Sequence, residues 1–145
     1  MVKNLYVNTR AQYKISKKTV HDTAYLIKKE LEFDVSSVII NFISSNEIIE
    51  INKKYLGHNY STDIITFNYS GSNEDLDGEI FISVDDACEN AIKFRARYQD
   101  EIIRLVIHGF LHLLGFDDTE RAKKKEMKKW ENKLCRNCAE KISIK

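Results

Sequence analysis

The segment that most constrains this chain runs from Glu101 to Asp118 and contains His108-Gly-Phe-Leu-His112-Leu-Leu-Gly115-Phe-Asp117-Asp118. From Ile102 to Leu114 it is apolar on almost every side. That pattern marks a helix buried in a core rather than one laid on a surface. Its polar residues, Glu101, Arg104, His108 and His112, are spaced by three, four and four, so they make one stripe. A polar stripe on a buried helix is expensive unless it faces a cleft or an ion. His108 and His112 stand one above the other and can reach a single metal. Gly115 is placed to end the helix in a left-handed turn, which glycine enters cheaply. The chain can then bring Asp117 or Asp118 to the same ion. Three protein ligands with a fourth position open is how catalytic zinc is held.

The donor types favour metal-assisted hydrolysis. Neutral imidazole suits borderline metals, and a carboxylate completes a facial set. Two histidines and a carboxylate also serve non-haem iron oxygenases, but those use H-x-D spacing on strands, which is absent here. A metal-activated water becomes a nucleophile near neutral pH. The spacing resembles the zinc-protease helix H-E-x-x-H-x-x-G-x-x-H. The residue after His108 is Gly109, however, and the glutamate base of peptide hydrolysis is missing.

The rest of the chain supplies what such a helix must pack against. Leu5–Val7, Val35–Ser44, Asp63–Asn68 and Gly78–Val84 read as strands, from β-branched content and alternation. Ser16–Glu32 reads as an amphipathic helix capped by Ser16, with His21 a packing or surface residue. Asn46–Tyr55 reads as a second helix. A third, capped by Asp85 or Asp86, puts Ala87, Ala91, Phe94 and Tyr98 on one face. Thr119–Cys135 reads as a last helix, burying Met127, Trp130 and Leu134 under a lysine-rich face. Helices lie between strands one and two and between two and three, which predicts parallel pairing; strands three and four, joined by a loop, can be antiparallel. The expected class is α+β: a small mixed sheet of about four strands on a central metal-binding helix, with the other helices around it, in a single domain over residues 1–145.

Composition excludes more than it selects. A net charge of +1 gives no global field toward nucleic acid, so any basic patch must be local. There is no apolar run long enough for a transmembrane helix, and the first residues lack the apolar core of a signal peptide. Three cysteines, an odd number, argue against a secreted disulfide scaffold, and a cytoplasmic protein is expected. Cys135-x-x-Cys138 has zinc-like spacing but no second pair, so two reduced thiols are the reading.

The helix-and-turn segment resembles the signature H-G-x-L-H-L-x-G-[YF]-D-H of the YbeY family of bacterial endoribonucleases. Two further stretches agree in order and spacing: Tyr55-Leu-Gly-His-Asn-Tyr-Ser-Thr62-Asp63-Ile-Ile-Thr-Phe67 with Y-R-G-x-x-x-P-T-D-V-L-S-F, and Gly78-Glu-Ile-Phe-Ile-Ser83 with G-D-I-x-I-S. Together they span the central two thirds of the chain. The resemblance implies a zincin-like fold and a metal-dependent, single-strand-specific endoribonuclease. The implied role is maturation of ribosomal RNA, chiefly at the small-subunit 3′ end, and ribosome quality control. It further implies one zinc ion per chain, ribosomal RNA as substrate, small-subunit proteins or assembly factors as partners, and no membrane.

Carried onto this chain, the implied metal ligands are His108, His112 and Asp118, the last standing where the family has a third histidine. Asp117 is then a second-shell or capping residue. The family arginine of the Y-R-G stretch is Leu56 here, which leaves Arg104 and His58 as candidates for phosphate or catalytic work. Arg104 can equally pair with Glu101, and Thr62 and Asp63 read as loop caps. The lysine-rich last helix is a solvated face or a guide for RNA phosphates. Two alternatives stand beside cleavage: a metal-stabilised factor that binds RNA or ribosomes with little activity, and, more weakly, a zinc protease.

Overall fold

The structure is a computed structural model and describes residues 1–142. Four strands form one sheet: β1 (Leu5–Asn8), β2 (Asp34–Ile43), β3 (Ile64–Asn68) and β4 (Asp75–Ser83). Their order is β1-β2-β4-β3. The β1/β2 and β2/β4 pairs are parallel, and β3/β4 is antiparallel. The parallel neighbours of β2 are therefore β1 and β4, not β3, which lies at the edge. β4 also begins earlier than Gly78. Asp75 and Asp77 pair with Asp34 and Ser37 and flank Leu76, which is buried in the core, so the strand's alternation of buried and less buried residues starts there.

Five α-helices complete the mixed α+β fold: α1 (Lys17–Leu31), α2 (Ser45–Ile51), α3 (Val84–Lys93), α4 (Tyr98–Leu113) and α5 (Arg121–Lys141). Local chemistry explains their starts. The Ser16 hydroxyl accepts from the Thr19 N–H at the head of α1. Ser44 and Glu47 form a reciprocal capping box at α2. α3 is capped by Ser83, while Asp85 and Asp86 lie in its first turn, where acids complement the helix dipole. α2 runs on into a π-helical turn, Asn52–Leu56.

The single face read across Ala87, Ala91, Phe94 and Tyr98 is divided. Arg95 takes a left-handed conformation (φ 55°), which breaks the chain between α3 and α4. Phe94 is consequently exposed, and Tyr98 opens α4.

The main core lies between α4 and one face of the sheet. Val38, Ile40, Phe42, Ile80 and Ile82 present that face, and Ile102, Leu105, Val106, Phe110 and Leu113 oppose it, all essentially buried. Each such side chain contributes about 1.5–3 kcal/mol by leaving water. α1 and α5 close the far side of α4 with Val20, Ala24, Ile27, Met127 and Leu134. His21 belongs to this packing: it is buried, and its Nδ1 accepts from the Val2 N–H at 3.2 Å. A smaller cluster of Ile43, Ile48 and Ile65, flanked by Phe67 and Phe81, occupies the other sheet face. No helix among the described residues is long and apolar enough to cross a membrane.

Candidate metal centre

α4 meets the sheet unusually closely at Gly109. A Cβ there would lie 2.9 Å from Ile80 Cδ1 and 3.2 Å from Ile64 Cδ1. The residue after His108 thus points into the sheet, and the missing glutamate of the protease pattern has no room at this position. The polar stripe runs along another side of α4, toward α5. Glu101 is buried, while the side chains of Arg104, His108 and His112 keep about a quarter of their surface.

The end of α4 delivers the third donor. Gly115 (φ 95°) takes the left-handed position. Its N–H bonds to the His112 carbonyl, and the Phe116 N–H to the Leu111 carbonyl, both at 3.0 Å. These paired bonds are a Schellman motif, and Phe116 then packs edge-on against Trp130 of α5. The reversal brings Asp118 back beside the histidines. His112 Nε2 stands 3.1 Å from His108 Nε2 and 3.8 Å from Asp118 Oδ2. One donor atom from each of the three residues lies within 4.8 Å of the others. Asp117 faces away: it accepts from the Thr119 N–H at 2.8 Å and shapes the turn, which also draws its pKa down.

A residue absent from the sequence reading completes the arrangement. Glu131 of α5 is only 2 % exposed, and its Oε1 lies 2.7 Å from His108 Nδ1. Its Oε2 accepts from Lys128 Nζ at 3.0 Å and lies 3.5 Å from Arg104 Nη1. Burial pushes the Glu131 carboxyl up, but the His108 and Lys128 hydrogen bonds and the Arg104 charge outweigh it and hold it at about 2. An ionised carboxylate can only accept, so Nδ1 of His108 carries a proton, and its Nε2 faces His112 and Asp118. Burial, helped by the neighbouring His108, holds the His112 pKa below the ordinary histidine value and keeps that ring neutral. Two imidazoles with converging nitrogens, a nearby carboxylate and a carboxylate behind one ring fit a divalent metal. The outer carboxylate is the usual support of a metal-binding histidine.

Arg104 is largely committed within the protein. It forms a two-pronged pair with Glu101, at 2.8 and 2.6 Å, and approaches Asp63 at 4.0 Å. It also lines the groove and lies 3.5 Å from Glu131, so it links the two buried acids. His58 is exposed in the loop after the π-helical turn, its ring 5.2 Å from Tyr60, and it does not line the groove beside the histidines. Asp63 also accepts from Asn90 Nδ2 at 3.0 Å, tying its loop to α3. Cys135 and Cys138 are free thiols whose pKa values burial raises to about 12 and about 11, so both stay protonated.

A four-stranded mixed sheet carrying a helix with a part-buried pair of histidines, and an aspartate returned to them by a glycine turn, defines a zincin-like α+β protein with a candidate hydrolase centre. The model of the Endoribonuclease YbeY family matches residues 3–139. An Endoribonuclease YbeY of Bacteroides thetaiotaomicron is 46% identical over 92 residues, which are 63% of this chain and 66% of that one. One of Chlorobium phaeobacteroides is 32% identical over 88% of this chain and 87% of that protein. A Thermotoga maritima protein solved in solution has a similar fold, with a TM-score of 0.68 and 28% identity over 92% of this chain and 88% of that one. The chain belongs to the YbeY endoribonuclease family.

Proposed function

We propose that this protein is a metal-dependent endoribonuclease that cuts single-stranded RNA during ribosomal RNA maturation, with His108, His112 and Asp118 holding one zinc ion. The observation that carries the reading is the convergence of those three donors beside an open groove, in a chain of this family. A bound zinc supplies a nucleophile at neutral pH by acidifying water, and polarises a phosphoryl oxygen. The protein contributes orientation. Glu131 fixes the His108 tautomer and ring angle, and Arg104 with Lys128 keeps Glu131 charged and in place. Asp117 holds the turn from which Asp118 projects. Gly109 lets α4 seat flat on the sheet, so the stripe is aimed at the groove. We place its action in the cytoplasm, on the 3′ region of small-subunit ribosomal RNA, alongside small-subunit proteins or assembly factors.

The test compares metal-loaded native protein with His112→Ala on single-stranded and duplex RNA. Native protein should cut the single strand only, and the variant should lose both cleavage and stoichiometric zinc. RNA binding without cleavage by the zinc-loaded native protein would replace this reading with that of an assembly factor.

A further inference from the structure

The groove beside the histidines has a volume of about 1050 Å³, and its floor includes His108 and Asp118. One wall is α5, which contributes Arg121, Lys124, Lys125 and Lys128. Lys128 is bonded to Glu131. Arg121, Lys124 and Lys125, among the described residues, have no carboxylate within 4.0 Å. The loop that ends at Asp63, which Arg104 approaches at 4.0 Å, carries no lysine or arginine between Leu56 and Asp63. The whole chain has a net charge of only +1, so this wall is a local concentration of positive charge rather than a sample of a basic surface.

We propose that the α5 wall is the phosphate-binding track of the substrate, seating the single strand along the α4–α5 groove with its backbone against Arg121, Lys124 and Lys125. The ligand's identity rests on the ribonuclease reading above. Spacing supports an extended polyanion over a compact anion. Along a helix, Arg121 and Lys125 are separated by about 6 Å and Arg121 and Lys128 by about 10 Å, so successive cations meet successive phosphates of one strand. The cations share the groove lining with His108 and Asp118 but come from α5, not from the segment that carries the donors. They therefore bind flanking phosphates and leave the scissile one to the centre. Sequence preference is not expected from such contacts, because phosphates carry no base information.

The experiment uses the full-length zinc-loaded chain and a fluorescein-labelled oligouridylate, read by anisotropy across a salt series and by steady-state cleavage. An Arg121→Gln/Lys125→Gln variant removes two exposed cations from the wall. Each phosphate contact to a single strand contributes about 0.7 to the slope of log affinity against log salt. The variant slope should be shallower by about 1.4, which is about 25-fold in affinity at about 0.1 M salt. KM should rise correspondingly, with kcat and zinc content unchanged. Lys129→Gln/Arg136→Gln removes equal charge from exposed positions outside the groove and should leave slope and KM as in the native protein. Equal weakening by both variants would overturn the track in favour of bulk charge. Unchanged binding in the wall variant would also overturn it, and competition by polyglutamate alone would assign the wall to an acidic protein. Native protein that binds the strand through this wall without cutting it retains the track and rejects the cleavage reading, so the two fail separately.

Discussion

Glu131 divides one carboxylate between two tasks: Oε1 faces His108 Nδ1, and Oε2 takes Lys128 and Arg104. Glu131→Gln keeps the shape and removes the charge. Zinc affinity, read by competition with a chromogenic chelator, should fall about 10–100-fold; native affinity in the variant would deny Glu131 its orienting role. Glu131→Ala also removes one partner of Arg104, which keeps its pair with Glu101, and leaves His108 Nδ1 without its acceptor; it should cost about 1–3 kcal/mol in urea unfolding. The same residue sets an acid limit. Its folded pKa, about 2, lies below its unfolded value of 4.5, so its stabilisation is complete above about 4.5 and is lost as pH falls toward about 2. Thermal melts taken downward from neutral pH should show that loss, and Glu131→Gln should flatten it. The histidine pair was legible because helical spacing alone places it on one face. Glu131 was not, since its partners arrive from another helix. A signal did exist: Met127, Glu131, Leu134 and Cys138 lie on one buried stripe of α5, and an acid on an apolar stripe calls for a partner.

At the scale of elements, the seat of α4 on the sheet decides what chemistry the helix can display. Gly109→Glu would write the protease pattern H-E-x-x-H into this chain. It should instead drive a carboxylate into Ile80 and Ile64, destabilising the fold by more than about 4 kcal/mol and yielding no peptidase. Circular dichroism and a casein assay check both halves. The pieces of this fold that sequence patterning located are those in which burial repeats with a clean period, notably α1, β2 and α4. The pieces it misplaced are governed by other forces. The start of β4 is a single core residue, Leu76, hidden between Asp75 and Asp77, and the α3–α4 break is made by Arg95 in a conformation that no glycine or proline announces. The π-helical turn depends on Asn52, a buried amide that donates to the Tyr60 carbonyl at 2.9 Å across the loop it closes.

At the scale of the molecule, an ion that binds only the folded chain stabilises it by mass action. Free zinc at about 100 times its dissociation constant adds about 2.7 kcal/mol. For a chain of this length that should raise Tm by about 5–11 °C. The rise should vanish on adding a chelator and should be absent in His112→Ala; an equal rise in the variant would place the ion elsewhere. The Schellman turn at Gly115 gives this coupling a particular geometry. All three candidate ligands come from one short, contiguous run, so bringing them together closes only a small loop and costs little chain entropy. The donors themselves need only α4 and its turn in place. Glu131 reaches them from α5, across a contact between segments distant in the chain. Gathering the donors is thus local, whereas orienting them depends on how α5 seats against α4.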